Sequence, residues 1–361
     1  MTKSIELNDT NLMKGIAIIF IILHNLIHLL VPIKENEFRF NIEHSEMFIY
    51  SLLNFQDGLW KDVFSFLGWY GIFIYLFISG YGLVKKYENN VRYNEISFWT
   101  FGSSHAKKLF LLMIIPYFIY LVLIYVFSGE IMSIDAIFAQ TFMISNLYSF
   151  YIHPGIYWYF GLMLQLYIIY YLFIFNRPQI IIGVLILVQF MVVIFCYCVL
   201  DKSSVLDECL SLKYALSSYN LLHNSIGWFL PFTFGIVYAR RNLNIIFNNR
   251  LINVIFFIVS SILLILSNLN FFTWLISPIF AIFSAIYLNE LIKTFKFITK
   301  IFIYIGGLSA FIFATHPLIR YTYLQITSSS NVLYVILYAI VCVTIAFCYK
   351  KLHNVLFKSK T

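Results

Sequence analysis

Between Lys14 and His28 the chain reads Lys14-Gly15-Ile16-Ala17-Ile18-Ile19-Phe20-Ile21-Ile22-Leu23-His24-Asn25-Leu26-Ile27-His28, so Lys14, His24, Asn25 and His28 stand in an apolar run. An imidazole, with an ordinary pKa of about 6.5, takes a proton from a hydroxyl at neutral pH. A carboxamide beside it can orient the ring or hydrogen-bond a developing oxyanion. An ammonium at the end of the same run can hold phosphate. This set suits group transfer to an alcohol, with His24 as base, His28 second to it and Asn25 in support. A covalent intermediate on the imidazole is compatible with it and not required.

The element that positions them is a helix. At about 100° per residue, Lys14 and His28 lie about 40° apart around the axis, Lys14 and His24 about 80°, and Lys14 and Asn25 about 20°. All four are expected on one stripe. In an apolar helix such a stripe faces protein or water and not lipid.

Composition supplies the solvent. Of 361 residues, 61% are hydrophobic and only 11% charged, with mean hydropathy +0.85. A soluble domain carries about 25% charged residues. Apolar runs near the ~20 residues that cross a bilayer fall at roughly 14–33, 64–84, 109–128, 156–175, 180–200, 223–239, 251–268, 271–289, 301–319 and 332–349. The expected fold is therefore all-α, a polytopic membrane bundle of about ten spans forming a single domain over 1–361. A broken apolar stretch at 134–150 is expected to lie at the interface or re-enter, and 45–57 to form a short surface helix. The first run is expected to be a retained helix and not a signal peptide.

The net charge of +8 reads as topology and not as a nucleic-acid surface. With ten spans, 18 of the 24 Lys and Arg fall on the side that holds both termini, among them Lys14, Lys85, Lys86, Lys107 and Lys108. The positive-inside rule makes that side cytoplasmic. Lys34, Arg39, Lys61, Lys202, Lys213 and Arg320 fall outside. Cys196, Cys198, Cys209, Cys342 and Cys348 form no CxxC pair and read as apolar fillers, with no metal set. Of the other histidines, His44 and His353 are expected in loops and His105 in the cytoplasmic loop 85–108. His153 and His223 are expected at outer span ends and His316 in the outer half of the ninth span. Ser79-Gly80 reads as a close helix-packing site. Trp158 and Tyr159 suit an aromatic belt at the interface.

Four local patterns in order resemble the membrane acyltransferase-3 family. They are Lys14-Gly15-Ile16-Ala17 followed by His24; Gly71-Ile72-Phe73-Ile74-Tyr75-Leu76-Phe77-Ile78-Ser79-Gly80-Tyr81; Lys107-Lys108-Leu109 with Pro116-Tyr117; and Trp158-Tyr159 with Thr315-His316-Pro317. The resemblance implies an O-acyltransferase of a bacterial cytoplasmic (inner) membrane. Its co-substrate would be cytoplasmic acyl-CoA, acetyl-CoA by family habit, with no permanently bound cofactor. Its acceptor would be a carbohydrate or lipid-linked sugar on the outer face, its other partners membrane lipids, and nucleic acid none. Lys14, Lys85, Lys86, Lys107 and Lys108 would hold the CoA phosphates, and Trp158, Tyr159 and His316 the acceptor. The family pattern has Arg where Lys14 stands, with ten residues before its His. Here nine separate Lys14 from His24, and Asn25 occupies the usual His position, so either the helix is locally overwound or His24 or His28 has taken over that role. The alternative is a transporter or flippase of a lipid-linked saccharide. That class often shows internal repeats, and none is found. A polymerase or ligase would be expected to carry outer arginines, of which there are only Arg39 and Arg320.

Overall fold

A computed structural model describes residues 2–3, 5–31, 36–90, 95–147, 154–200, 221–327 and 329–357. His153, Cys209, Lys34, Lys202 and Lys213, named above, lie outside these residues, as do Arg92, Lys358 and Lys360, three of the eighteen cations counted on the cytoplasmic side. In chain order the α-helices are α1 (Leu7–Leu30), α2 (Ile42–Asn54), α3 (Leu59–Gly68), α4 (Tyr70–Leu83), α5 (Phe98–Ser128), α6 (Ile134–Thr141) and α7 (Trp158–Ile169). They continue as α8 (Ile180–Phe195), α9 (Phe229–Arg240), α10 (Arg250–Ser267), α11 (Phe271–Trp274), α12 (Ser277–Ile292), α13 (Lys296–Ile326) and α14 (Val332–Phe357). A two-residue strand, β1 (Thr2–Lys3), pairs antiparallel with β2 (Ile246–Phe247).

Among the described residues, eight helical stretches are long and apolar enough to cross a membrane. They coincide with eight of the ten expected ranges, and the chain is an all-α, multi-pass membrane protein. The other two ranges are shorter helices. The range 223–239 opens on a 3₁₀ turn, Ser225–Gly227, and yields only the 12 residues of α9. The range 271–289 breaks between α11 and α12, where Pro278 opens the second helix because its missing N–H costs nothing in a first turn. The loop expected over 85–108 ends early: α5 starts at Phe98, capped by Ser97 Oγ, and takes in His105. His353 likewise belongs to α14. His44 stands in the first turn of α2, buried. In α5, α13 and α14 helical hydrogen bonding reaches well past the apolar residues that revealed the span.

The residues group into two compact units, 1–84 with 230–358, and 85–229 with 359–361. In the first, α1 is the central helix. Asp9 closes a capping box with Glu6 and also pairs with Lys293, which pairs with Glu290, so the start of α1 is tied to the end of α12. On one side α1 meets α13 through glycines. A Cβ on Gly15 would strike the Phe302 carbonyl, and one on Gly306 the Asn11 carbonyl. On another side Gly68 meets His24 and the Phe20 carbonyl. Backbones at this separation are the membrane packing mode that needs small residues. Gly80 packs the same way against the Phe232 carbonyl, as Ser79-Gly80 was expected to do.

In the second unit, Asn146 Nδ2 donates to the His223 carbonyl (3.0 Å) and Asn224 Nδ2 to the Asn146 carbonyl (2.7 Å). Gln165 Nε2 donates to Asn224 Oδ1 (2.8 Å), and Ser225 N donates to Gln165 Oε1 (2.9 Å). The network knits α7 to the turn before α9.

Candidate active site

The α1–α3 crossing gathers the site. His24 is 3% exposed, and its Nδ1 lies 2.8 Å from the backbone carbonyl oxygen of Ser65. A carbonyl only accepts, so Nδ1 carries the proton and the ring's lone pair is on Nε2. That atom faces Glu37 Oε2 at 3.8 Å. One turn further along α1, His28 Nε2 lies 2.9 Å from Ser65 Oγ, and His44 Nε2 reaches the same oxygen at 3.1 Å. The rings of His24 and His28 are 4.3 Å apart, those of His28 and His44 6.0 Å and edge-on. Ser65 is fully buried and serves three imidazoles at once. One hydroxyl donates a single proton, so at least one of His28 and His44 must donate to it if both bonds form.

Electrostatics separates these groups. Burial pushes the Glu37 carboxyl up to about 8. His44 is pushed down to about 3, first by burial and then by the charges His28 and His24 would carry, so it is a neutral ring. The neighbour of Glu37 is fixed: Asn36 Nδ2 donates to Asn268 Oδ1 (2.8 Å), which also accepts from Tyr70 (2.7 Å). Asn36 Oδ1 accepts from Asn41 N (2.7 Å), and Asn268 Nδ2 donates to the Leu264 carbonyl (2.7 Å). The segment that carries the carboxyl is thereby anchored to the end of α10.

The stripe expected on α1 is divided between two neighbours. His24 and His28 turn to α3. Asn25 turns to α13, where Arg320 donates to its carbonyl (3.3 Å) and to its Oδ1 (3.4 Å), while its own Nδ2 donates to the Ile21 carbonyl (2.8 Å). Lys14, half-buried at the other end of α1, accepts through its backbone carbonyl from the Tyr75 hydroxyl (3.1 Å). His316 is fully buried. Its Nδ1 lies 3.1 and 2.9 Å from the Ile312 and Phe313 carbonyls of its own helix, which puts the ring lone pair on Nε2.

The remaining expected residues belong to the second unit. Lys85, Lys86, Lys107 and Lys108 are exposed, and Lys86 lies 4.7 Å over the Tyr87 ring. Trp158 is buried, with Trp228 at 5.1 Å and His223 edge-on at 5.7 Å, while Tyr159 is half-buried. Glu37, His44, Ser65 and Arg320 were missed as site residues. The signal for Arg320 was there, an ionisable residue directly after the apolar run 301–319; His44 preceded the expected surface helix 45–57 by one residue. Ser65 and Glu37 carried none. Among the described residues no group of three or more His, Cys, Asp or Glu is arranged to hold a metal ion.

Fold and site define a class: a multi-pass helical membrane protein with a buried, tautomer-fixed imidazole facing a carboxyl. A family model described as an acyltransferase domain matches residues 7–351, and the chain belongs to this family, acyltransferase-3. Neither a curated protein nor a solved structure matches it. The chain is thus a membrane acyltransferase, and the transporter alternative is without support.

Proposed function

We propose that the protein moves an acyl group, acetyl as the smallest case, from cytoplasmic acyl-CoA to a hydroxyl of a carbohydrate or lipid-linked sugar at the outer face of a bacterial cytoplasmic membrane. The observation that carries the reading is the orientation of His24, whose Nδ1–H is spent on Ser65 and whose Nε2 is presented to Glu37.

In the proposed step, His24 Nε2 takes the proton of the acceptor hydroxyl as its oxygen attacks the thioester carbonyl. The tetrahedral intermediate collapses, the C–S bond breaks, and the imidazolium returns its proton to the leaving thiolate. The products are ester and free CoA. A carboxylate at Glu37 stabilises the imidazolium formed between the two proton transfers. Asn25, held by Arg320, steadies the far flank of α1. Lys14, Lys85, Lys86, Lys107 and Lys108 are proposed to attract the CoA phosphates. Trp158, Tyr159 and His316 belong to the proposal as acceptor contacts.

Inverted and right-side-out vesicles test the reading. Acetyl-CoA added outside should support acceptor acylation in inverted vesicles and not in right-side-out ones. Equal activity in both, or movement of a lipid-linked sugar without any acyl donor, would overturn it.

A further inference from the structure

The first unit holds an apolar cavity of about 220 Å³ between α1, the α3–α4 pair, α10 and α12. Every residue around it is buried or half-buried. The space exists because α12 presents Ala281, Ser284 and Ala285 there, opposite Ala17 and Gly71. The two serine hydroxyls in the wall, Ser261 and Ser284, bond to each other at 3.3 Å, and Ser284 also donates to Ser260 at 3.0 Å. The Tyr70 hydroxyl is spent on Asn268. Ordered water needs two to four polar partners. The hydroxyl protons in these walls are already donated to one another or to Asn268, and the rest of the lining is apolar, so an alkyl group suits the space better than water.

Position narrows the choice. The residues α1 contributes, Met13, Ile16, Ala17 and Phe20, span an arc of about 100° around the helix, and His24 falls within it. His24 is one turn beyond Phe20, about 6 Å along the axis. Leu67 lines the cavity from α3, two residues from the Ser65 carbonyl that orients His24. The cavity therefore lies along the helix face that carries the imidazole and ends about one turn short of it. Its volume holds about seven groups of water size, at ~30 Å³ each. That matches a short linear alkyl chain and is far below a polyprenyl tail.

We propose that this cavity is an acyl-chain site, which takes the alkyl tail of a donor thioester whose carbonyl lies at His24. The assignment rests on the acyl-CoA reading above and extends it from acetyl to linear chains of about six to eight carbons. Bilayer lipid is the competing source of hydrocarbon, and the test separates the two.

The full-length protein in phosphatidylcholine nanodiscs is photolabelled with octanoyl-CoA carrying a diazirine at its terminal carbon. Label is expected on Met13–Phe20 and Ala281–Leu288, displaced by octanoyl-CoA and unaffected by added lipid. Ala281→Leu and Ala285→Phe should each remove it. In the same variants octanoyl-CoA should lose about tenfold in affinity while acetyl-CoA binding is unchanged. Label that is displaced by lipid, that falls elsewhere, or that survives both variants overturns the assignment. If the label falls as expected but no acyl-CoA is turned over, the proposed function fails and the chain site stands.

Discussion

The imidazole Nδ1 of His24 lies 2.8 Å from the carbonyl oxygen of Ser65, 41 residues further along the chain. A backbone atom, not a side chain, sets the tautomer of the proposed base. Ser65→Ala therefore keeps that bond and removes only the Oγ contacts to His28 and His44. One buried imidazole and one half-buried imidazole lose a partner, which should destabilise the fold by ~1–3 kcal/mol. Transfer should slow by only about two- to threefold, the effect expected of a group that acts on packing and not on the reaction. Thermal unfolding and CoA release measured on one preparation check this. Complete loss of transfer in a folded Ser65→Ala protein would place the hydroxyl in the chemistry.

Glu37 sets the pH dependence. Burial raises its carboxyl from 4.5 to about 8, so it is largely neutral at pH 7. Ionisation above that point supplies the charge that stabilises a His24 imidazolium, and transfer should rise as pH passes through about 8. Stability runs the other way. A raised folded pKa means full stability below 4.5 and a progressive loss as pH rises through about 8. Glu37→Gln should flatten both curves. Rate and unfolding profiles identical to those of the parent protein would remove Glu37 from the account.

Adjacent glycines on α13 differ in what surrounds them. A Cβ on Gly306 meets the Asn11 backbone, whereas one on Gly307 meets nothing within 4 Å. Gly306→Ala should destabilise the α1–α13 pair by ~1–3 kcal/mol or more, since backbone cannot step aside as a side chain can. Gly307→Ala should be neutral or slightly stabilising. Unfolding of the two variants in the same detergent decides it, and equal effects would contradict this close approach of helices.

Lys14 is proposed to act on the donor alone. Its structural tie to Tyr75 runs through its own carbonyl and survives substitution. Lys14→Ala should raise the KM for acetyl-CoA by about tenfold with kcat little changed, the pattern of lost ground-state binding. A fall in kcat at unchanged KM would assign Lys14 to the reacting centre.

Much of this was legible in the sequence because lipid enforces simple rules. Apolar runs of ~20 residues located the spans, and helical periodicity marked the face of α1 that holds His24 and His28. What failed were features that depend on contact between elements. Asn25 shares a stripe with Lys14 by angle, yet Arg320 from α13 holds it apart from the histidines. Ser65 sits inside an apolar run and has no pattern of its own; its part comes from crossing α1 at Gly68. His44 read as a loop residue because the short surface helix expected at 45–57 begins earlier, at Ile42. Glu37 became notable only once burial had raised its pKa.

The most direct test of the central claim compares His24→Ala with His28→Ala in purified, folded protein given labelled acetyl-CoA and a carbohydrate acceptor. The account predicts that His24→Ala loses all acceptor-dependent CoA release, while His28→Ala retains a measurable part of it. Full activity in His24→Ala, or loss confined to His28→Ala, would contradict the assignment of the base.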